Sequence, residues 1–128
     1  MDEERLIFLG TAGARVMVAN QILASGGIWM ELGKTRILVD PGPGALVQAT
    51  KRKLRASKLD AIVLSHRHLD HAADINVMIE AMTDGGFRRR GVLVAPSDAL
   101  DEDPVILHYL RGYLERIETL KEGKSYHI

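Results

Sequence analysis

The sequence contains no cysteine among its 128 residues. Disulfide bonds and thiolate metal sites are therefore excluded, and histidine, aspartate and glutamate remain as the strong metal ligands. Net charge is also lacking, because 17 Lys and Arg residues balance 17 Asp and Glu residues. A chain without net charge has no overall field that would attract nucleic acid or an anionic membrane.

Long hydrophobic runs are absent as well. No apolar stretch approaches the roughly 20 residues that cross a bilayer. The start, MDEERLIFLG, is acidic before it is apolar, which is not the order of a signal peptide. These absences predict a soluble cytoplasmic protein that binds no membrane. The length of 128 residues suits one domain or part of one.

Five short apolar runs have the length of strands and are mostly bounded by Gly, Asp, Pro or Ser. Only Gly33 and Lys34 separate the second run from the third, which favours a hairpin. The runs are LIFLG (6–10), GIWMEL (27–32), TRILVD (35–40), AIVLS (61–65) and GVLVA (91–95).

Helical patterns occupy the longer gaps, at about 44–55, at about 72–83 and from about Pro104. The second helix has an apolar face of Ile75, Met78, Ile79 and Met82, and the third has Ile106, Tyr109, Leu110 and Tyr113 on one face. The alternation predicts an α/β layered domain. Three strands are continuously apolar, as in sheets buried on both faces, yet three short helices can cover only one face.

The segment SHRHLDHAAD (65–74) holds three of the five histidines. In an extended segment after a strand, His66, His68 and Asp70 point to one side, and a turn into the following helix would bring His71 to them. Strand ends are where open α/β sheets place their sites. Imidazole and carboxylate suit zinc, and also manganese or iron. The strand, loop and helix context favours a metal loop over a solvated loop, with two ions more natural than one.

Two basic runs, KRKLRASK (51–58) and RRR (88–90), could attract a polyanion such as RNA. Alternatively, they are the solvated faces of structural elements. The second interpretation is favoured, because the net charge is zero and aromatic residues for base stacking make up only 5% of the chain.

The segment SHRHLDH resembles the HxHxDH metal motif of the metallo-β-lactamase superfamily. Upstream, IFLGTAG (7–13) resembles the opening strand and loop of the branch that contains ribonuclease Z and the cyclic-phosphate phosphodiesterases. ILVDPGPG (37–44) resembles the strand-end aspartate segment before the motif. The resemblance implies an α/β fold that is half of an αββα sandwich, a mixed β-sheet backed by helices.

The resemblance also implies a site with two divalent metal ions, zinc being favoured and manganese or iron the alternatives. His66 and His68 would bind the first ion, and Asp70 and His71 the second. Asp40 would bind no metal itself but would orient a ligand imidazole or hydrogen-bond the metal loop. The alternative is that Asp40 is a turn residue that ends a strand. The PGPG segment is interpreted as a rigid turn, since prolines lack the amide hydrogens of a phosphate cradle.

The implied activity is hydrolysis by a water that two metal ions share, with Asp70 as the catalytic residue that moves protons. A phosphodiester is the favoured substrate, with RNA as one candidate, and a lactone or thioester is the alternative within the superfamily. A second alternative is a non-catalytic half-domain that binds a partner chain or a single metal.

The last part of the chain, ending in KEGKSYHI, contains nothing similar to the family's later metal ligands, and His127 is not assigned as one. Residues 1–128 are therefore expected to form a single unit that is the N-terminal half of such a domain, with the second half absent from this chain. The uncovered sheet face predicts self-association or pairing with a C-terminal half.

Overall fold

The computed structural model of the chain describes residues 3–10 and 26–128. In this part of the chain six strands form one sheet, in the order of the sequence. Strands β1 to β3 are antiparallel neighbours, whereas β3 to β6 run parallel. The strands are β1 (Arg5–Phe8), β2 (Ile28–Leu32), β3 (Thr35–Val39), β4 (Ala61–Val63), β5 (Val92–Ala95) and β6 (Arg116–Thr119).

The predicted hairpin joins β2 to β3. Leu32 pairs with Thr35, so two residues make the turn. The first of them, Gly33, has a φ of 62°, a left-handed conformation that glycine adopts without steric cost. The mixed sheet that the resemblance implies is confirmed, and all five predicted strands are present, although β1 ends at Phe8 and β4 at Val63.

The sixth strand, β6, was not predicted from the sequence. Its residues, RIET, include two charged side chains and one strongly apolar residue, Ile117. Such a segment lacks a strand signal of its own and pairs with β5 at the edge of the sheet, where charged side chains are common.

The helices are shorter than their patterns predict. The helix predicted over 44–55 is α1 (Ala45–Lys51), and it ends just before Lys53, whose φ is 59°. The helix predicted over 72–83 is divided into α2 (Leu69–Ala72) and α3 (Ile75–Met82). The prediction of a helix from Pro104 is wrong for most of its length, because only α4 (His108–Arg111) is α-helical.

The apolar face predicted for that third helix is also wrong in part. Ile106 and Leu110 are buried, but the side chain of Tyr109 is 61% exposed. Short turns replace regular helix elsewhere, a 3₁₀ turn at Ala56–Lys58 and a single π-helical turn at Asp98–Glu102.

One face of the sheet carries the main core. Trp29, Leu38, Ile62 and Leu93 are register neighbours on successive strands, and all four are fully buried. Helix α3 packs against this face with the side chains that its periodicity predicts, Ile75, Met78, Ile79 and Met82. None of the helices in the described ranges is long and apolar enough to span a membrane.

The opposite face of the sheet is covered only in part. Ala61, Val92 and Val94 are buried there, with Leu120 and Tyr126 from the last residues packed against them. Farther along this face, on β1, Leu6 is 58% exposed and Phe8 is 54% exposed. The helices thus cover one face, and an apolar part of the other remains accessible.

Candidate metal centre

The cluster found in the sequence lies at the carboxyl ends of two neighbouring parallel strands. Asp40 directly follows β3, and the segment from Ser65 follows β4. Because parallel strands end at the same edge of a sheet, residues 25 positions apart in the chain become neighbours. The structure therefore brings Asp40 and the four histidine and aspartate residues of the motif into one site.

The carboxylate of Asp40 holds the start of the metal loop. Its Oδ1 accepts a hydrogen bond of 2.7 Å from the backbone N–H of Ser65, and its Oδ2 accepts one of 2.6 Å from the Ser65 hydroxyl. The backbone N–H of Asp40 donates to Val63 O at 2.9 Å. Its φ of 52° is left-handed, a conformation that aspartate tolerates better than most residues.

His71 turns toward the same carboxylate. Its Nδ1 lies 2.9 Å from Asp40 Oδ2, and since an ionised carboxylate can only accept, Nδ1 carries the proton. The lone pair of His71 is then on Nε2, which lies 3.4 Å from Asp70 Oδ2. Two ligands bound tetrahedrally to zinc at about 2.0–2.2 Å lie roughly 3.3–3.6 Å apart. This pair therefore fits a shared ion.

Two groups of donors in the described residues could each hold an ion, with ligand atoms all within 4.8 Å of one another. His66 belongs to both groups, and its ring centroid lies 4.9 Å from that of His68 and 4.1 Å from that of His71. The groups are Asp40, His66 and His71, and His66, His68 and Asp70. Imidazole nitrogens and carboxylate oxygens are donors that zinc, manganese and iron accept. The division of ligands between two ions stays a prediction.

The two-residue spacing suggested a segment that stays extended through Asp70, but in the structure Asp70 lies in a helical turn. His68 has extended backbone angles, and α2 begins at the next residue. The backbone N–H of His71 donates to His68 O at 2.9 Å. A helical turn, rather than a continuous row, thus presents Asp70 and His71 together.

The PGPG turn supports the loop from behind. A Cβ atom added to Gly42 would lie 2.2 Å from Asp70 O, so only glycine allows this close approach. Pro41 O accepts a hydrogen bond of 2.9 Å from Asp74 N, and Asp74 Oδ2 accepts one of 3.1 Å from Leu46 N. The sequence predicted a rigid turn here, but it did not indicate that this turn packs against the motif.

A cation between the first two histidines fixes the other side of the loop. Arg67 Nη1 donates to Asp103 Oδ2 at 2.7 Å, and Arg67 Nε lies 3.6 Å from Asp98 Oδ2. Asp98 is in the π-helical turn that follows β5, and Asp103 comes directly after it. Sequence analysis missed Ser65, Arg67 and Asp74; for Ser65 the available signal was a hydroxyl side chain directly before the first histidine.

The basic runs lie at the amino ends of the parallel strands, whereas the metal site lies at the carboxyl ends. Both precede a parallel strand, β4 or β5, whereas the metal loop follows β4. These strands of three to four residues span roughly 10–13 Å at about 3.3 Å per residue. Moreover, Arg90 donates to Ser57 O at 2.6 Å and Arg89 donates to Leu114 O at 3.1 Å. Two of the three arginines in RRR therefore stabilise the backbone.

The fold and the site agree with comparisons to known proteins. A family model described as the β-lactamase superfamily domain matches residues 35–128, and the chain belongs to this superfamily. An uncharacterized protein of Methanocaldococcus jannaschii is 33% identical over 124 residues, which cover 94% of this chain and 47% of that protein. Ribonuclease Z of Kineococcus radiotolerans is 29% identical over 101 residues, 79% of this chain and 31% of that enzyme.

A solved structure shows the same fold. The metallo-β-lactamase fold protein YhfI from Bacillus subtilis superposes with a TM-score of 0.74 at 22% identity, covering 100% of this chain and 49% of that one. The chain thus spans about half the length of these proteins, or less. The predicted superfamily and fold are confirmed. This fold implies divalent metal binding, and the His and Asp groups at the strand ends fit such an ion.

Proposed function

We propose that this chain carries the metal loop of a hydrolase that cleaves phosphodiesters with water at a site of two divalent metal ions, zinc being favoured. One observation carries the proposal. Three imidazoles and two carboxylates converge at the ends of two parallel strands, and a carboxylate already orients one imidazole. Structural histidines do not require this density of metal donors.

Each residue has a role in the proposal. His66 and His68 bind one ion, and Asp70 and His71 bind the other. Asp40 keeps the Nε2 lone pair of His71 directed into the site through the bond to Nδ1. Ions in such a site make bound water more acidic and polarise an ester centre. The Asp70 carboxylate, which faces His71 at 3.4 Å, accepts and returns protons during cleavage.

The choice of a phosphodiester is supported by the relative named ribonuclease Z. RNA is then one candidate substrate. The basic runs of this chain do not support contact with RNA at the site, because they lie at the opposite ends of the parallel strands. We therefore propose that any polyanion is held near the metals by residues that the two runs do not include.

We also propose that residues 1–128 form one half of the active unit and that further sequence supplies the remaining ligands. Two observations support this. The chain spans 47% of the length of the Methanocaldococcus jannaschii relative. The sheet face opposite the helices also exposes Leu6 and Phe8, which a second half or a second copy would cover.

The test is an assay of the full-length protein, freed of metal and then supplied with zinc or manganese, on bis(4-nitrophenyl) phosphate. We expect hydrolysis that is abolished by His66→Ala and Asp70→Asn. His108→Ala is the matched control, because this histidine is exposed on α4 outside the site. A parallel run with residues 1–128 alone is expected to show little or no activity.

Other outcomes would decide against the proposal. Hydrolysis of a lactone or thioester in place of the phosphodiester would identify another activity of the superfamily. Metal binding without turnover of any ester would favour a non-catalytic half-domain. Unchanged hydrolysis in the His66→Ala variant would show that the site lies elsewhere.

A further inference from the structure

The hydroxyl of Ser65 lies between a carboxylate and an imidazole of the site. Its Oγ is 2.6 Å from Asp40 Oδ2 and 2.9 Å from His66 Nδ1. Of the three residues in contact, Asp40 and Ser65 lie outside the HxHxDH motif, and His66 is its first histidine. The arrangement places a hydrogen-bonded relay behind the first histidine of the motif.

The protons in this relay follow from what each group can do. A hydroxyl has one proton, and an ionised carboxylate can only accept, so Ser65 donates to Asp40. The lone pairs of Ser65 Oγ then face His66 Nδ1, and a hydrogen bond of 2.9 Å requires that Nδ1 carry a proton. Neutral His66 is therefore protonated on Nδ1, and its Nε2 has the free lone pair.

We propose that Ser65 is a positioning residue that sets the tautomer of His66, so that Nε2 is the atom offered to a metal ion. The inference rests on the proposed function, since the tautomer matters for hydrolysis only if His66 is a ligand. Asp40 then orients two imidazoles, His71 directly and His66 through the serine hydroxyl. Such partners of ligand imidazoles strengthen metal binding.

The hydroxyl can be separated from the other role of Ser65. The backbone N–H of this residue donates to Asp40 Oδ1 at 2.7 Å, and this bond holds the loop whatever the side chain is. Ser65→Ala removes only the relay. Ser65→Thr keeps a hydroxyl at an exposed position. Ser97→Ala is the matched control, because Ser97 is exposed and its side chain makes no capping hydrogen bond.

The experiment measures the tautomer of His66 by ¹⁵N NMR in the metal-free, full-length protein. The pH is about 8.5, where imidazoles in general are neutral because their ordinary pKa is about 6.5. We expect the Nδ1–H form of His66 to be the main tautomer in the wild type, in Ser65→Thr and in Ser97→Ala. In Ser65→Ala this form should no longer be the main one. Zinc affinity, measured by competition with a chelator, should fall about 10- to 100-fold in Ser65→Ala alone.

Two results would overturn the inference. The first is an Nε2–H tautomer of His66 in the wild type, which needs no variant to be observed. The second is a Ser65→Ala protein with an unchanged tautomer, whatever its zinc affinity. Because the tautomer is measured without metal or substrate, a lack of phosphodiester hydrolysis would contradict the proposed function and leave the role of Ser65 standing.

Discussion

His71 and Asp40 are 31 residues apart in the chain, and their side chains meet at 2.9 Å between Nδ1 and Oδ2. The contact ties the helical turn of the metal loop to the end of the neighbouring strand. A carboxylate that holds one nitrogen of an imidazole leaves the other available for a metal ion. The charge of Asp40 should therefore influence metal binding although no ligand role is assigned to it.

Asp40→Asn tests this relationship. Asparagine tolerates the φ of 52° as well as aspartate does, so the backbone is preserved. Its amide has only one accepting oxygen, however, so its NH2 group must face donors that both oxygens of Asp40 now accept, either Ser65 N–H or the Ser65 hydroxyl and His71. We expect zinc affinity to fall about 10- to 100-fold, measured by chelator competition. Asp101→Asn, an exposed change in the π-helical turn, is the control and should bind zinc normally. Equal affinity in both variants would contradict the role of Asp40.

Gly42→Ala should damage both the fold and the site. The added Cβ would lie 2.2 Å from Asp70 O, so the PGPG turn or the metal loop must shift. We expect a loss of about 1–3 kcal/mol or more in the free energy of unfolding, measured with denaturant, and weaker metal binding. In the control, Gly112→Ala, φ is −70° and nothing lies within 4 Å of the new atom, so stability should stay level or rise slightly.

Arg90 and Arg88 should differ, although both belong to the RRR run. Arg90 donates to Ser57 O and Met82 O, and its loss leaves these carbonyls without a charged donor. Arg90→Ala should cost about 1.5–3 kcal/mol of unfolding free energy. Among the described residues, the Arg88 side chain pairs with Asp84 alone, at the surface, so Arg88→Ala should change stability by less than about 0.5 kcal/mol. Equal costs would show that the run acts as one charged surface.

Glu31 should make the stability depend on acid pH. Burial by itself would raise its pKa, but hydrogen bonds from Arg5 and Trp29, together with the charges of Arg5 and Arg36, outweigh it and lower the pKa below the ordinary 4.5. A lowered pKa adds stability that is present above the ordinary value and is lost as the pH falls through the folded one.

The wild type should therefore lose more stability than Glu31→Gln when denaturation is compared between neutral pH and a pH below 4.5. The glutamine cannot titrate, and it keeps the size of the side chain. Parallel pH profiles of the two proteins would mean that Glu31 has the same pKa in the folded and unfolded chains.

Local patterns in the sequence were sufficient for much of the fold. Strand-length apolar runs predicted β2 to β5, the two-residue gap predicted the hairpin, and the face of α3 followed from its spacing. Such signals persist in the structure because they depend on neighbours along the chain. The strand β6 and the end of α1 did not follow, since pairing with β5 decides one and a left-handed residue, Lys53, decides the other.

The metal motif was likewise evident from the sequence, as six residues that contain three histidines and one aspartate. Only the tertiary structure shows which other residues contact the motif. Parallel pairing of β3 with β4 brings Asp40 to Ser65 and His71. Close packing of Gly42 against Asp70 fixes how near the metal loop lies to the PGPG turn. Residue types along the chain supply possible donors, but only the pairing of distant strands decides which atoms meet, because hydrogen bonds act over about 3 Å.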